Sequence, residues 1–298
     1  MNDRHHLAAI VLALGCCACG GSGGAAALNA PVPAVTPGAP ALLLTGRVVD
    51  VEAGNAGIGG ATVIIGNAIV SGESPPALLP AGTVRAVTAV DGSFTVSGTP
   101  PGNVATDFSS GALAHTGSAT LVEVFAGGYV TYHAQYVLAS APNMLTIAMT
   151  KPASDDLAWL DALNADRAAA GAPPVALDAP LLQAARAWAA HEVAVGIFGF
   201  SDPALPPGAA DASLQNAYTS RHGFTVAGGE NLTVGPSDGP AAEAAFRTEA
   251  VTGGPHWLHI VDQRLRWAGF GSALCVPGRP LCPVAIRTWV QYLSVAPS

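Results

Sequence analysis

Two different patterns of hydrophobic and polar positions divide the chain near residue 152. Between residues 42 and 150, short runs rich in β-branched residues alternate with glycine-rich turns such as Asp91-Gly92. Short strands at regular spacing, with turn signals between them, are typical of an all-β sandwich. The predicted strands are Gly46–Asp50, Ala61–Ile65, Val84–Val90, Ser93–Val96, Leu121–Phe125 and Leu145–Met149.

After residue 152, apolar residues recur at helical spacing. Ser154 is expected to cap a helix that carries Leu157, Leu160 and Leu163 on one face. The predicted helices run from Ser154 to Gly171, from Asp178 to Gly196 and from Pro240 to Glu249, and the predicted strands from Trp267 to Leu274 and from Val284 to Leu293. Helices first and strands last predict an α+β arrangement for this part of the chain.

The first 19 residues have the organisation of a secretory signal. A polar stretch precedes the apolar run Leu7–Gly15, which is too short to span a membrane as a helix. This run ends at a small residue before Cys16, an arrangement that resembles the bacterial lipoprotein signal, in which such a cysteine is lipidated. Cys19 is the alternative lipidation site, and an ordinary cleaved signal peptide is the alternative to lipidation. Residues 1–19 are therefore predicted to be a lipoprotein signal peptide.

Residues 20–41 are mainly Gly, Ser, Ala and Pro and include no charged residue. Such a segment cannot bury enough apolar surface to fold, so it is predicted to be a flexible linker. A lipidated cysteine followed by a linker is the expected design of a tether. The protein is therefore expected to be exported to the bacterial cell envelope and held by its N-terminal lipid at the outer membrane or cell surface.

The composition narrows the range of partners. The formal net charge is −8, only 11% of residues are charged, and the sequence has no basic cluster. Proteins that bind nucleic acids usually carry a basic stripe, so no nucleic-acid partner is expected. No apolar run after the leader approaches the ~18 residues of a spanning helix. The membrane is expected to be a partner only through the N-terminal lipid.

Cys275 and Cys282 flank a Pro-Gly turn between two strand-like runs. In an oxidising compartment, such a pair predicts a disulfide across a hairpin. Two cysteines alone do not make a structural zinc site, which takes four ligands. A disulfide is therefore the preferred interpretation.

The β-rich segment resembles the carboxypeptidase regulatory-like domains in the order of its short motifs. These motifs are Gly46-x-Val48-x-Asp50, Gly60-Ala61-x-Val63, Thr88-x-x-Asp91-Gly92-x-Phe94 and Gly127-Gly128-Tyr129. The resemblance covers most of residues 42–150 and implies a β-sandwich that acts as a spacer or binding module. A structural role is expected for this domain.

The C-terminal segment resembles the CAP superfamily, which includes cysteine-rich secretory, antigen 5 and plant pathogenesis-related proteins. The motifs that carry the resemblance are, in order, Leu163-Asn164-x-x-Arg167, Leu181 with Ala185 and Trp188, Gly229-Glu230-Asn231-Leu232, Phe246-x-x-Glu249, Gly254-Pro255-His256, Gly269-x-Gly271 and Trp289-Val290-Gln291. The Gly-Glu-Asn motif is weak alone, whereas the ordered series is specific. The resemblance implies a CAP domain at residues 154–298 with a three-layer α-β-α sandwich.

CAP domains typically carry two histidines and two acidic residues in a central cleft, which in some members bind a divalent cation. The resemblance implies Glu230, Glu249 and His256 for three of these positions. Phe200 stands where the family has its other histidine, and a phenyl ring cannot ligate a metal. His259 is the candidate replacement, so His256, His259, Glu230 and Glu249 form a candidate site for zinc or calcium. Alternatively, His259 takes the hydrogen-bonding role of the side-chain amide that is usual at this position.

Three classes of function follow from the cleft. The preferred one is a non-catalytic binding module for a lipid, a small apolar ligand or a divalent cation, because Phe200 makes the cleft more apolar. The second is a metal-dependent hydrolase or peptidase, in which Glu230 or Glu249 is the general base and His256 its partner. The third is a structural or adhesive surface protein with a vestigial cleft.

Overall fold

The computed structural model describes residues 42–66, 75–78, 83–97, 119–137, 143–202, 204, 225–277 and 284–295. These residues belong to one compact unit, Ala39–Ser298. Cys16, Cys19, the linker 20–41 and Cys282 lie outside the described residues, so the predictions made for them stay predictions. No helix in the described ranges is long and apolar enough to cross a membrane.

The described strands between residues 42 and 149 form two four-stranded sheets. They are β1 Leu42–Asp50, β2 Ala56–Gly57, β3 Thr62–Gly66, β4 Val84–Val87, β5 Ser93–Ser97, β6 Ala119–Phe125, β7 Tyr132–Val137 and β8 Asn143–Met149. Sheet I has the order β2-β1-β5, with β8 paired parallel to β1, and sheet II has the order β4-β3-β6-β7. Val48 of sheet I shares one buried hydrophobic core with Val63 and Val122 of sheet II, so the sheets form a sandwich. The carboxypeptidase regulatory-like assignment stays a prediction.

Strands β3, β6 and β7 of sheet II are buried on both faces, whereas Val87 of strand β4 is 59% exposed. Tyr132, His133 and Ala134 of β7 follow one another, and none is more than 2% exposed. One face of the sheet lies in the sandwich core, and the other contacts the C-terminal part, where the rings of His133 and Trp267 are 3.9 Å apart. Since β7 buries a histidine instead of alternating apolar with exposed residues, the sequence pattern does not predict this strand.

The C-terminal part is a three-layer α-β-α sandwich. Its elements are α1 Ser154–Ala169, β9 Ala176–Leu177, α2 Ala179–Val195, β10 Thr225–Val234, α3 Gly239–Arg247, the 3-10 turn Thr248–Val251, α4 Pro255–Val261, β11 Leu265–Cys275 and β12 Ile286–Val295. Sheet III has the order β10-β12-β11-β9. On one face, Trp188 of α2 shares a buried cluster with Val290. On the other face, Trp159 of α1 packs edge-on against Trp289, with centroids 5.5 Å apart. The predicted α+β class is confirmed.

The ends of the first two helices test the predicted boundaries and the predicted cap at Ser154. The Asp178 side chain accepts a hydrogen bond from the backbone N–H three residues later at 3.2 Å, and Gly196 ends α2 in the left-handed conformation at φ 76°. The expectation that Ser154 caps α1 is wrong. The N-cap is Ala153, whose N–H donates to Asp156 Oδ2 at 2.7 Å. An acidic side chain inside the first turn therefore reaches back to the N-cap backbone, and no cap hydroxyl is used.

The Gly269-x-Gly271 motif lets α2 lie close to sheet III. A Cβ added at Gly269 would stand 2.2 Å from the carbonyl carbon of Leu181, and one at Gly271 would stand 2.1 Å from that of Ala185. No side chain fits at such distances, so both positions need glycine. The motif is therefore a packing device that sets the separation between two layers.

Three buried ionisable residues join the sandwich to the C-terminal part. His133 Nδ1 lies 2.9 Å from Asp178 Oδ1, and its Nε2 lies 3.3 Å from Glu123 Oε1. Burial by itself lowers the pKa of His133, but its hydrogen bonds to Asp178 and Glu123 outweigh burial and raise that pKa. Because Asp178 also caps α2, the same carboxylate orients the helix and ties it to sheet II.

Candidate functional site

The Gly-Glu-Asn motif lies on β10, at the edge of sheet III. This strand pairs antiparallel with β12, so that Glu230 is opposite Tyr292 and Asn231 is opposite Gln291. Side chains alternate along a strand, which sends Glu230 and Asn231 to opposite faces of the sheet. The glutamate therefore belongs to the α2 side, and the asparagine to the side of α1, α3 and α4.

A cavity of about 370 Å³ opens at this edge and is lined by Phe200, Glu230, Pro255, His256 and His259. Its volume lies within the ~300–1,000 Å³ that small-molecule sites occupy. Four of the five residues predicted for the cleft and its candidate metal site thus line one cavity. The fifth, Glu249, contacts His256 instead of lining the cavity.

Glu249 orients the His256 ring through two hydrogen bonds. Glu249 Oε1 lies 2.7 Å from His256 Nδ1, and Oε2 accepts the backbone N–H of His256 at 2.9 Å. The hydrogen bond from His256 lowers the pKa of Glu249, so the ionised carboxylate accepts and Nδ1–H donates. A Cβ at Gly254 would stand 2.3 Å from Glu249 Oε2, so glycine makes room for this contact. In the neutral ring, Nε2 of His256 keeps its lone pair.

Asn231 fixes His259 in a similar way. The Asn231 amide donates to the His256 carbonyl at 3.2 Å and to Gln291 Oε1 at 2.7 Å. Its oxygen must therefore be the acceptor toward His259 Nδ1, which lies 2.9 Å away. Burial, together with the positive charge that His256 can carry, lowers the pKa of His259. The neutral ring donates through Nδ1 and keeps a lone pair on Nε2.

The two histidines face one cavity because of their spacing. They are one turn apart on α4, so they share a helix face. Gly229 lies under the second ring, and a Cβ there would stand 2.3 Å from Cγ of His259. His259 makes the hydrogen bond that the sequence alternative assigned to an amide, and it also lines the cavity.

Glu230 is the acidic group of the cavity. Burial raises its pKa to about 7, an effect that the Tyr292 hydroxyl only partly offsets and the Glu192 carboxylate increases. Its Oε1 atom is buried, and the carboxyl group lies within reach of the Tyr292 hydroxyl. Near neutral pH the carboxyl therefore exchanges a proton easily.

The Phe200 side chain forms the apolar rim of the cavity and is 47% exposed. The residue before it is held on both sides: Gly199 N–H donates to Glu192 Oε1 at 3.0 Å, and Trp188 Nε1 donates to the Gly199 carbonyl at 3.1 Å. These bonds attach the segment to α2. The phenylalanine is thus placed by helix α2, although it follows the end of that helix.

A buried network behind the cavity was not predicted from the sequence. Gln291 Nε2 donates to Glu243 Oε2 at 2.7 Å, and Trp159 Nε1 donates to the same oxygen at 2.8 Å. Burial raises the pKa of Glu243 to about 7. With the bonds of Asn231, the network runs from His259 to Glu243 on α3. The sequence contains one indication that Glu243 is buried: it precedes Phe246 by three residues and therefore shares the helix face of that apolar residue.

The candidate zinc or calcium site does not fit this geometry. Within the described ranges, no group of three or more His, Cys, Asp or Glu side chains is arranged to hold a metal ion. Glu249 is bonded to Nδ1 and to the backbone N–H of His256 and does not line the cavity, and the raised pKa of Glu230 keeps its carboxyl partly protonated near neutral pH. The family's cation chemistry is therefore not assigned to this chain.

Residues 160–293 match the sequence profile of the family described as "CAP: Cysteine-rich secretory protein family". The C-terminal part of the chain therefore contains a CAP domain, as its motifs predict. No curated protein matches the chain.

Solved structures with similarity to the chain include MpPR-1i, which is 19% identical over 50% of this chain and 93% of its own, with a TM-score of 0.31. An extracellular protein containing a SCP domain from Bacillus anthracis str. Ames is 14% identical over 71% of this chain and 80% of its own, with a TM-score of 0.34. Hydroxyquinol 1,2-dioxygenase from Pseudomonas putida DLL-E4 is 17% identical over 40% of this chain and 59% of its own, with a TM-score of 0.26.

Proposed function

We propose that this chain is an exported, envelope-anchored protein whose CAP domain is a non-catalytic binding module for a small, largely apolar ligand. The observation that carries the proposal is the cavity of about 370 Å³ between Phe200, Pro255 and α4. Apolar walls with a few polar groups are the usual composition of a small-molecule site. The phenyl ring at the rim supplies the apolar contact that a histidine would not.

The groups around the cavity support binding more than catalysis. None of the described residues that line it is a serine, threonine, cysteine or lysine, so the described part of the lining offers no nucleophile for covalent catalysis. Metal-assisted hydrolysis lacks a fitting group of ligands in the described ranges. Glu230 remains as an acid or base without a second catalytic group assigned to it.

A purely structural or adhesive role, with a vestigial cleft, is less well supported. Such a cleft should be closed, with Glu230 and His256 satisfied by the protein itself. Instead, a cavity of about 370 Å³ remains open beside Glu230 and His256.

Export and anchoring are supported by the leader, where a nine-residue apolar run precedes Cys16 and an uncharged linker follows. The CAP domain adds support because the name of the family refers to secretory proteins. We place the protein at the outer membrane or cell surface. Lipid attachment at Cys16, with Cys19 as the alternative, is part of this proposal.

Calorimetric titration of the purified protein with 1-octanol tests the binding function. The wild type is expected to bind, and Phe200→Ser is expected to weaken binding about fivefold, since covering the rest of a half-exposed ring contributes on the order of 1 kcal/mol. Met144→Ser is the matched control, because Met144 is an 82% exposed apolar residue on β8. The proposal fails if the wild type binds no apolar probe, or if both variants bind like the wild type.

Turnover assays test the claim of a non-catalytic cleft. The purified protein is expected to show no metal-dependent hydrolysis of peptide or ester substrates. Hydrolysis that is abolished by Glu230→Gln and by His256→Ala would establish the hydrolase function instead.

A further inference from the structure

Helix α2 makes contacts with both sheet III and the β-sandwich. Trp188 lies in the buried cluster on the side of sheet III. The first two turns of the helix donate hydrogen bonds to the sandwich: the Ala179 N–H donates to the Thr131 carbonyl at 2.9 Å, and Gln183 Nε2 donates to the Ala148 carbonyl at 2.8 Å. The sandwich therefore covers this face of α2.

His133 lies in this junction with a carboxyl group at each ring nitrogen. Nδ1 is 2.9 Å from Asp178 Oδ1 at the start of α2, and Nε2 is 3.3 Å from Glu123 Oε1 on β6. All three side chains are at most 2% exposed. The third group that faces the ring is Trp267 of β11, which does not titrate. Because bulk water does not reach the cluster, the two carboxyls and the imidazole must supply the hydrogens of both contacts.

Each contact requires one hydrogen. A neutral imidazole has a single N–H group, so one of its nitrogens would direct a lone pair at a carboxyl oxygen. Asp178 accepts the backbone N–H groups of His133 and Leu181, one with each oxygen, and these bonds oppose the effect of burial, which raises its pKa. An ionised Asp178 therefore fits the geometry. A doubly protonated ring then donates to Asp178 and to Glu123.

We infer that Glu123, His133 and Asp178 form a proton-dependent latch that holds the β-sandwich on helix α2. The two carboxyls raise the pKa of the folded His133 above 6.5, the value that the ring has in an unfolded chain. The latch therefore contributes its full stability below pH 6.5 and loses it as the pH rises through the higher pKa of the folded ring. After deprotonation, the Nε2 lone pair faces Glu123 Oε1 across 3.3 Å, so the junction weakens at alkaline pH.

Nuclear magnetic resonance of the imidazole nitrogens in the purified full-length chain tests the charge of the ring. The signals of His133 are assigned through the contact of its ring with the Trp267 indole. At about pH 7.5, one unit above the usual histidine pKa, both nitrogens of His133 are expected to have the chemical shifts of an imidazolium. A neutral ring at this pH would overturn the inference, and the measurement needs no variant.

Glu123→Gln tests the need for the second proton. The amide N–H can donate to the Nε2 lone pair of a neutral ring, so the variant keeps the contact without that proton. Urea denaturation is measured at about pH 7.5 and about pH 9, above the pKa of about 7 of Glu230 and Glu243. Between these conditions, the folding constant of the wild type should fall at least about threefold more than that of Glu123→Gln.

Glu52→Gln is the matched control. Glu52 accepts hydrogen bonds from Thr150 and Arg186 at another point of the same junction, and its replacement removes the same charge. Its folding constant should fall in parallel with that of the wild type. If the folding constant of Glu123→Gln falls in parallel as well, the latch is wrong. If both variants fall less than the wild type, the loss of a negative charge explains the effect, and the latch is again wrong.

Discussion

Replacing Glu243 with glutamine should change how the stability of this protein depends on pH. Glu243 is fully buried on α3, and its Oε2 atom accepts hydrogen bonds from Trp159 and Gln291. Its Oε1 atom has no partner among the described residues. The glutamine oxygen can accept both bonds, so the variant keeps the network, loses the ability to ionise and places an amide N–H group where Oε1 has no partner among the described residues.

The magnitude follows from the pKa of Glu243, which burial raises from 4.5 to about 7. Between these two values the folded state holds a proton that the unfolded state has lost, so the free energy of unfolding falls as pH rises. At about 1.4 kcal/mol per pKa unit, the loss is about 3 kcal/mol and is complete above pH 7. The Glu243→Gln variant lacks this contribution at every pH.

Urea denaturation of the wild type and of Glu243→Gln at pH 5, 6, 7 and 8 measures the effect. Relative to the wild type, the variant should gain about 2 to 3 kcal/mol of unfolding free energy between pH 5 and pH 8. The unpaired amide N–H adds a cost that does not depend on pH, so the comparison across pH removes it. Asp161→Asn, an exposed substitution on α1, should follow the wild type. If the wild type and Glu243→Gln lose stability in parallel from pH 5 to pH 8, the reasoning about this buried carboxyl is refuted.

Three further predictions concern processing, cross-linking and packing. Cys16→Ser should leave an unprocessed precursor without lipid, as shown by mass spectrometry and fatty-acid labelling, and normal labelling would contradict this. Cys275→Ser should lower the free energy of unfolding by roughly 2–3 kcal/mol in oxidised protein, and alkylation of Cys275 and Cys282 in the unreduced wild type, located by peptide mass spectrometry, would contradict the bridge between them. Gly271→Ala should destabilise the fold by roughly 1–3 kcal/mol because its Cβ would clash with the α2 backbone, whereas Gly127→Ala, where a Cβ meets no described atom, should change the melting temperature little.

Local signals explain why helix α2 could be predicted with its boundaries. A capping aspartate at Asp178 and a left-handed glycine at Gly196 act within one turn of the helix, so no distant residue is needed to read them. The cap expected at Ser154 was wrong for a local reason as well. The Asp156 side chain accepts a hydrogen bond from the backbone N–H of Ala153, and the N-cap is therefore Ala153 and not Ser154.

Strand β10 shows the limit of local patterns. Two consecutive glycines, Gly228 and Gly229, interrupt the apolar alternation, and glycine is unfavourable in strands. The structure explains both. A Cβ at Gly228 would stand 1.9 Å from the Leu293 carbonyl oxygen on β12, and one at Gly229 would meet the His259 ring. Contacts with distant segments therefore require these two glycines, and the glycines interrupt the hydrophobic pattern by which the strand could have been predicted.

By itself, the sequence determined the α+β class and the CAP domain, because ordered motifs and helical or strand periodicity are written along the chain. It also predicted Glu230, His256 and Phe200, which line one cavity, whereas Glu249, predicted beside them, contacts His256 instead. Only the tertiary structure decided which atoms those residues present. The donor at His259 Nδ1 depends on an asparagine 28 residues earlier, and the raised pKa of Glu230 depends on burial. Hydrogen-bond direction and desolvation arise from neighbours in space, and a single sequence does not specify those neighbours.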